Sequence, residues 1–348
     1  MNKNILVIGG AGYIGSHTVV ELFSAGYEPV IVDNFSNTEP GVIDALNKLL
    51  KTSIKFYEGD ATDESFMETV FEAEPGLAGS IHFAAYKAVG ESVQQPLRYY
   101  YNNVNSLLVL LEMMKRYKVG HFVFSSSCTV YGQPDQLPVT EATPTKKAES
   151  PYGNTKKICE DIIEDVVKAK GGLKAISLRY FNPIGAHPSA LIGELPLGVP
   201  DNLVPFVTQT AAGIRDELTI FGDQYKTKDG TCVRDYIHVV DLAKAHVKAF
   251  QYLERAGAKD FYDIFNVGTG TGNSVMEVVK AFEKVSSQKL NYKIGPRREG
   301  DIEQVYANVD KAEEVLGWKA ELSLEDALRD AWNWQEALGK RASEGRES

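Results

Sequence analysis

Short apolar runs alternate with longer amphipathic stretches through the first half of the chain. The short runs predict β-strands at residues 5–8, 30–32, 54–57, 80–83, 122–124 and 175–178. The stretches between them predict helices at residues 14–25, 41–50, 64–71, 96–117 and 153–169. Such alternation is typical of a doubly wound α/β fold, in which helices cover both faces of a parallel sheet.

The alternation ends at about residue 182, after which prolines and glycines interrupt the pattern. Helical periodicity returns at residues 240–255, 275–285 and 324–338. We therefore expect a first domain at residues 1–181 and a smaller C-terminal α/β domain at residues 182–340. Segments near 236–250 and 264–268 are expected to return to the first domain, and residues 341–348 to form a tail.

Composition and charge exclude several classes of protein. The 348 residues are 43% hydrophobic and 24% charged, which excludes a disordered or fibrous chain. The net charge of −10 argues against a nucleic-acid partner, because phosphate backbones require clustered cations. The 3 cysteines and 6 histidines show neither disulfide nor metal-ligand spacing. No apolar run approaches the roughly 20 residues that span a bilayer. We expect no metal, no membrane partner and a location in the reducing cytoplasm.

A glycine-rich turn links the first predicted strand to the first predicted helix. Gly10, Gly12 and Gly15 satisfy the G-x-G-x-x-G spacing, and the same turn satisfies G-x-x-G-x-x-G from Gly9. Either spacing allows backbone to approach a pyrophosphate at the N-terminus of a helix. Asp33 ends the second strand, where a carboxylate accepts hydrogen bonds from ribose hydroxyls and repels a 2′-phosphate. The pattern predicts a Rossmann-type domain that binds NAD rather than NADP; an ordinary tight turn is the alternative.

Other small or polar residues stand at later strand ends. Asp60 follows the third predicted strand, and Phe83, Ala84 and Ala85 follow the fourth. Because ligands bind at the carboxyl ends of parallel strands, we expect Asp60 near an adenine and the backbone at 83–85 beside the cofactor. A helix-capping role for Asp60 is the alternative. Residues 268–272 (GTGTG) lack the ending of a phosphate-binding P-loop, so an ordinary turn is expected there.

Three residues form a candidate proton-transfer group. Tyr152 and Lys156 are four residues apart and therefore share one helical face. Tyrosine ionises near pH ~10, and a neighbouring lysine ammonium, together with the positive nicotinamide ring, favours the phenolate and lowers that pKa. Ser127, after the fifth predicted strand, can relay a proton or hold a sugar hydroxyl. A surface tyrosine–lysine pair is the alternative, but the glycine turn upstream favours the catalytic interpretation.

Eight motifs across nearly the whole chain resemble the UDP-glucose 4-epimerases, a family within the extended short-chain dehydrogenases/reductases. They are residues 9–17 (GGAGYIGSH), 33–37 (DNFSN), 82–92 (HFAAYKAVGES), 125–132 (SSSCTVYG), 152–156 (YGNTK), 179–183 (RYFNP), 233–238 (VRDYIH) and 297–301 (RREGD). The resemblance implies interconversion of UDP-glucose and UDP-galactose in galactose metabolism. It implies tightly bound NAD that is recycled through a transient 4-keto sugar.

The resemblance also implies roles for individual residues. Tyr152, assisted by Ser127, exchanges a proton with the sugar 4-hydroxyl, and Lys156 bonds the nicotinamide ribose and lowers the tyrosine pKa. The expected NAD contacts beyond those already derived are Tyr13, Ile14, Asn34, Asn37, Ala61, Lys87, Asn102, Tyr180 and Phe181. The expected UDP-sugar contacts are Asn182, Asn202, Leu203, Phe221, Arg234, Val305, Arg298 and Asp301.

One local departure separates this chain from related nucleotide-sugar enzymes. The 4,6-dehydratases carry an Asp-Glu pair before the Val-Tyr-Gly motif, and the decarboxylases carry a glutamate at the second position. Here those positions hold Cys128 and Thr129, which cannot donate the proton that elimination requires. Epimerisation is therefore favoured. An epimerase of a UDP-pentose or UDP-uronate and a non-catalytic NAD-sensing protein remain the alternatives.

Two further properties follow from the resemblance. Val305 occupies a position where family members with tyrosine accept only plain hexoses and members with a small residue also accept N-acetylated sugars. We therefore expect UDP-GlcNAc and UDP-GalNAc to be accepted too. Relatives are usually homodimers that pack through long helices of the cofactor domain, here the helices predicted at 96–117 and 153–169.

Overall fold

The computed structural model describes residues 3–298 and 301–344, and a seven-stranded parallel sheet lies at its centre. The strands that the sheet shares with the prediction are β1 (Lys3–Ile8), β2 (Tyr27–Asp33), β3 (Lys55–Glu58), β4 (Gly79–His82), β5 (His121–Ser125) and β6 (Lys174–Tyr180). The spatial order is 3-2-1-4-5-6, with one further strand beyond β6. The predicted doubly wound α/β fold is confirmed.

Helices follow the strands and cover both faces of this sheet. They are α1 (Tyr13–Ser24), α2 (Gly41–Leu50), α3 (Glu64–Ala73), α4 (Val89–Gln94), α5 (Pro96–Arg116) and α6 (Pro151–Lys168). Local capping sets several starts: the Asp63 carboxylate accepts from the first turn of α3, and the Ser150 hydroxyl accepts from Gly153 N in α6. Only the six-residue α4 was not predicted.

Alternating strand residues build two cores, one on each face of the sheet. Ile5 and Val7 of β1 face a core that includes Val19. Leu6 and Ile8 face the opposite core, which includes Leu110. All four β1 side chains are fully buried, which explains why this strand reads as a continuous apolar run.

The C-terminal half adds a smaller α/β assembly with its own core. The elements of this half of the chain are β7 (Asn182–Ile184), α7 (Leu203–Ala211), β8 (Leu218–Phe221), β9 (Val233–His238), α8 (Val239–Arg255), β10 (Phe261–Val267), β11 (Gly272–Ser274), α9 (Val275–Ser286), β12 (Tyr292–Gly295), β13 (Gln304–Val305) and α10 (Leu324–Glu344). Of these, α8 and β10 pack with the central sheet. Strands β7, β11 and β13 all pair with β9, and β8 pairs with β12. The buried Phe282 of α9 packs edge-on against Trp332 of α10.

Two parts of this half differ from the sequence expectation. Strand β10 pairs with β6 and completes the central sheet, although the pattern did not predict a strand there. Polar residues interrupt the apolar pattern of this strand and are stabilised by distant partners. Asp263 accepts a hydrogen bond from Lys311, and Asn266 accepts one from the Tyr131 hydroxyl. Helix α10 continues to Glu344, so the tail expected from residue 341 is wrong for 341–344; residues 345–348 lie outside the described part.

Candidate active site

A cavity of about 650 Å³ runs along the carboxyl ends of the central strands. It gathers residues from the glycine turn, from the ends of β2, β3 and β4, and from α6. The predicted residues that line it are Gly9, Gly12, Tyr13, Ile14, Gly15, Asp33, Asn34, Asn37, Asp60, Ala61, Phe83, Ala84, Ala85, Lys87, Asn102, Tyr152, Lys156, Tyr180 and Asn202. This volume is typical of sites that bind cofactors and other small organic molecules.

The glycine turn leaves no space for side chains where β1 meets α1. A Cβ at Gly15 would lie 2.1 Å from the Gly9 carbonyl oxygen, and one at Gly9 would lie 2.6 Å from Ala84 N. Gly9 also has a φ of 77°, which favours glycine. Gly12 begins α1 without a side-chain cap. The first N–H groups of α1 are therefore available to an anion in the cavity.

Asp33 is held rigidly beside this turn. One carboxylate oxygen accepts from Ala11 N at 3.0 Å and the other accepts from Phe35 N at 2.9 Å. Burial raises the pKa of Asp33, and these backbone bonds lower it in part. Farther along the same edge, the amide of Asn34 donates to the Asp60 carboxylate at 3.3 Å. The two acids thus lie at neighbouring strand ends, with side-chain orientations set by the backbone.

The segment after β4 forms the opposite wall. Phe83 N and Ala84 N both donate to the Ile8 carbonyl, which fixes this backbone against β1. Asn103 holds the next turn by bonding both the N–H and the carbonyl of Tyr86. Lys87 then reaches across the cavity to Glu194, with 3.2 Å between Nζ and Oε1.

Helix α6 brings the proton-transfer candidates to the other end of the cavity. Tyr152 and Lys156 are both buried on its inner face, one turn apart. The Lys156 ammonium donates to the Ser125 carbonyl at 2.7 Å, which ties α6 to the end of β5. Ser127 follows in that segment, and its hydroxyl accepts from Thr129 N at 3.2 Å and Thr129 Oγ1 at 3.0 Å.

Burial governs the ionisation of both residues in the protein alone. Burial, reinforced by Tyr180, raises the pKa of the Tyr152 phenol well above 10, and the Ser127 hydroxyl lowers it only in part. Burial also lowers the pKa of the Lys156 ammonium to about 8. The lowering of the tyrosine pKa by Lys156 together with a positively charged nicotinamide ring stays a prediction.

A second group of predicted residues lies outside the lining of this cavity. Arg298 forms a two-pronged pair with Asp301, at 3.0 Å and 3.2 Å. Arg234 approaches the same carboxylate at 4.0 Å, and Arg298 stacks over Phe221 with 4.9 Å to the ring centroid. We call these four residues the arginine cluster. It can bind a diphosphate through its guanidinium groups and a planar base through Phe221.

Cys128 begins the short turn that follows Ser127. Burial raises the pKa of its thiol to about 12, and the Arg234 charge lowers it in part. The thiol therefore stays protonated at neutral pH.

The remaining predicted residues do not line the cavity. Asn182 lies in β7, which pairs with β9, and Leu203 begins α7 directly after Asn202. Val305 of β13 pairs with Arg234 of β9 and is buried with Phe181 in one apolar cluster. Phe181 therefore packs away from the cavity surface. Residues 299–300 of the RREGD motif lie outside the described part.

Two carboxylates at this site were not predicted. Glu194 accepts from Lys87 and, at 2.6 Å, from the Asn202 amide, so it joins a predicted cofactor contact to a predicted substrate contact. The fully buried Asp235 accepts from Thr269 N, Gly270 N and Ala307 N. The GTGTG segment is thus a turn that binds the carboxylate of Asp235.

The described residues also bear on metal binding and on membrane insertion. Residues 3–298 and 301–344 contain no group of three or more His, Cys, Asp or Glu side chains arranged to hold a metal ion. Over the same ranges, no helix is long and apolar enough to cross a membrane.

Comparisons with known proteins give a consistent family. The family model for GDP-mannose 4,6-dehydratases matches residues 6–331. UDP-glucose 4-epimerase 2 of Arabidopsis thaliana is 50% identical, over 96% of this chain and 95% of that protein. The human UDP-glucose 4-epimerase is 49% identical, over 96% of this chain and 97% of that protein. The solved UDP-glucose 4-epimerase of Bifidobacterium longum, in complex with NAD+ and UDP, is 47% identical. It has a TM-score of 0.92 and covers 96% of this chain and 98% of that chain.

The contact between Gly15 and Gly9 predicts a specific defect in cofactor binding. A methyl group at Gly15 must move the turn, because its Cβ would overlap the Gly9 carbonyl at 2.1 Å. We expect Gly15→Ala to weaken NAD binding at least about tenfold, measured by titration calorimetry. Gly339→Ala, in a helix with open space around the new methyl group, is the control and should bind NAD normally. Equal affinities for both variants would contradict this account of the turn.

Proposed function

The chain belongs to the UDP-glucose 4-epimerases of the extended short-chain dehydrogenase/reductase family, and we propose that it interconverts UDP-glucose and UDP-galactose by inverting C4. It is an NAD-dependent isomerase. The observation that carries this function is the position of Tyr152. Its side chain lines the cavity that begins at the glycine turn, together with Lys156 one turn away on α6.

The residues that line the cavity are suited to binding NAD. Any side chain at Gly9 or Gly15 would collide with backbone, so the turn stays open to a ligand, and the uncapped start of α1 supplies N–H donors for a pyrophosphate. Asp33 is oriented by two backbone bonds to accept from ribose hydroxyls. Lys156 and Tyr180 line the far end. When bound, NAD supplies a reversible hydride acceptor for C4 of the hexose.

Tyr152 is the proposed acid and base at the sugar 4-hydroxyl. It takes the hydroxyl proton as C4 is oxidised and returns it as C4 is reduced. The buried phenol of the protein alone resists ionisation, so the positive charge of the oxidised nicotinamide and the Lys156 ammonium must favour the phenolate. Ser127 supports the proton transfer through its hydroxyl. This assignment requires no other titrating group at C4.

The arginine cluster is the proposed diphosphate and uridine site. Arg234 and Arg298 bind the diphosphate, Asp301 holds a ribose hydroxyl and Phe221 contacts the uracil. Asn182, Asn202 and Leu203 complete the contacts. Because the sugar is bound mainly through its nucleotide, the 4-keto sugar can turn over and present either face to Tyr152.

The match to a dehydratase model does not favour dehydration. Cys128 and Thr129 stand where that chemistry needs acids, and burial keeps the Cys128 thiol protonated. UDP-pentose and UDP-uronate epimerisation and NAD sensing are not favoured by any observation on these residues.

We propose that the division at about residue 181 separates a cofactor domain from a substrate domain. The parallel sheet supports it, and α8 and β10 return from the second part to this sheet. Location in the reducing cytoplasm stays a prediction.

Homodimerisation through α5 is proposed from an apolar exposed face. Leu97 is 81% exposed, Tyr101 is 71% exposed and Leu108 is 47% exposed, and the three lie along one side of the helix. Val93 of α4 extends the patch and is 60% exposed. A second copy that packs α5 and α6 against this face would bury it.

Turnover of UDP-galactose without added NAD tests the function. We expect the protein, as purified with its cofactor, to form UDP-glucose, followed by NMR. Tyr152→Phe should lower kcat about 10²- to 10⁴-fold, because it removes the acid and base. Tyr252→Phe is the matched control, because the Tyr252 ring packs against Phe261 and is not among the residues that line the cavity. Near-normal kcat in Tyr152→Phe would exclude the proposed role.

A larger side chain at residue 305 tests substrate range. Val305 is buried beside Arg234 rather than in the lining of the cavity. We propose that its small size leaves room next to the arginine cluster for N-acetylated sugars, so Val305→Tyr should lower kcat/KM for UDP-GlcNAc about tenfold or more and spare UDP-glucose. Val305→Ile, which adds one methylene, is the control. Unchanged UDP-GlcNAc activity in Val305→Tyr would show that this side chain does not limit the sugar.

Charge on the α5 face tests the dimer. Light scattering should give twice the chain mass for the wild type and the chain mass for Leu97→Asp/Tyr101→Asp, because two copies would then oppose carboxylates in an apolar contact. Ile214→Asp, at a residue that is 62% exposed after α7, should stay dimeric. A dimeric double variant would place the interface elsewhere.

A further inference from the structure

Helix α6 carries a third buried polar residue beyond the two assigned to chemistry. Tyr152, Lys156 and Glu160 follow one another at four-residue spacing, and all three are buried on the inner face. Lys156 and Glu160 both contact the chain where β5 ends: Lys156 donates to the carbonyl of Ser125, the last residue of β5, and Glu160 accepts from the hydroxyl of Ser126, the next residue, at 2.6 Å. The segment that carries Ser127 is therefore bonded to α6 at two successive residues.

Glu160 is the centre of a polar layer that crosses four elements. Besides Ser126, it accepts from Arg179 of β6, with 2.6 Å between Oε2 and Nη2 and 3.0 Å between Oε1 and Nε. The Arg179 guanidinium lies 4.9 Å from the ring centroid of Tyr131. The Tyr131 hydroxyl donates to Asn266 of β10 at 2.6 Å. We call these five residues the Glu160 layer.

The ion pair in the Glu160 layer is not expected to increase the free energy of unfolding. Both Glu160 and Arg179 are 4% exposed, so each charge has lost its hydration. Arg179 Nη1 has no hydrogen-bond partner within residues 3–298 and 301–344. Buried ion pairs of this kind are often replaced by apolar residues without loss of stability. Burial makes the ion pair of Glu160 and Arg179 costly in free energy. A role in fixing the position of neighbouring groups would explain why the pair is present.

The groups next to the layer are those of the proposed reaction. Ser126 directly precedes Ser127, Arg179 directly precedes Tyr180, and Glu160 lies one turn from Lys156. The Ser127 hydroxyl is held within its own turn by two bonds from Thr129, and the Ser127 carbonyl accepts from Val130 N. The position of this turn as a whole depends on the residues that anchor its start, of which Ser126 is one. The bond between Ser126 and Glu160 therefore limits how far the Ser127 hydroxyl can move relative to Tyr152.

We propose that Glu160 is a positioning residue that acts through Ser126 to hold the Ser127 hydroxyl against Tyr152. The inference rests on the proposed function for its kinetic consequence, but the placement of Ser127 is a property of the protein itself. Loosening this segment lets the Ser127 hydroxyl move away from Tyr152 and so removes part of the lowering that this hydroxyl exerts on the tyrosine pKa. It should therefore reduce the chemical step and move the ionisation of Tyr152 to higher pH, with little effect on nucleotide binding.

The first test is Ser126→Ala, which removes one hydroxyl and leaves the pair of Glu160 and Arg179 intact. We expect kcat for UDP-galactose to fall roughly tenfold with KM nearly unchanged, and the ionisation midpoint of Tyr152 to rise by roughly one pH unit. The midpoint is measured on the NAD-loaded protein by NMR of 13Cζ-labelled tyrosine, with Tyr152→Phe to assign the signal. Ser80→Ala is the control, because Ser80 is an equally buried strand serine that donates to the Leu6 carbonyl.

The second test separates positioning from folding. In Glu160→Met/Arg179→Met both charges are replaced together, so thermal stability should be retained while kcat falls at least as far as in Ser126→Ala. Unchanged kcat and an unchanged Tyr152 midpoint in Ser126→Ala, whatever its thermal stability, would overturn the proposal. An inactive wild type would instead overturn the proposed function, and the NMR midpoint would still decide whether Glu160 positions Ser127.

Discussion

The close contact between the first turn of α1 and the end of β1 is the constraint on which the rest of the site depends. There, backbone touches backbone, because even a methyl group at Gly15 would lie 2.1 Å from the Gly9 carbonyl oxygen. The contact directs the N-terminus of α1 into the cavity and brings Gly9 against the backbone after β4. A doubly wound sheet then places the ends of β2, β3, β5 and β6 along the same edge.

The second determinant is the dry environment of Tyr152. Burial disfavours its ionised form in the protein alone, so the phenolate depends on positive charge and hydrogen bonds close to it. This dependence couples the proton to the redox state of the cofactor, because the oxidised nicotinamide carries the positive charge and the reduced one does not. It also makes the exact placement of Ser127 and Lys156 consequential, which is why the bonds between α6 and the segment after β5 bear on catalysis.

The sequence predicted the parts of the site that local patterns encode. The glycine spacing, the acid after the second strand and the four-residue spacing of Tyr152 and Lys156 each express one turn or one helical face. Strand β10 was missed because its polar residues have tertiary partners, which no local pattern reveals. Glu194 was missed because it lies among prolines and acts only by joining Lys87 to Asn202. Glu160 continues the spacing of Tyr152 and Lys156, so its position was visible, but its partner Arg179 comes from another strand.

The central claim is that C4 loses and regains the same hydrogen within one cavity, with Tyr152 handling only the hydroxyl proton. The most direct measurement follows deuterium in UDP-galactose labelled at C4, converted by the NAD-loaded protein in ordinary water without added nucleotide. The account predicts UDP-glucose that retains deuterium at C4 and carries none elsewhere on the sugar. Replacement of that deuterium by solvent hydrogen would contradict it, because the hydrogen would then have left the carbon as a proton.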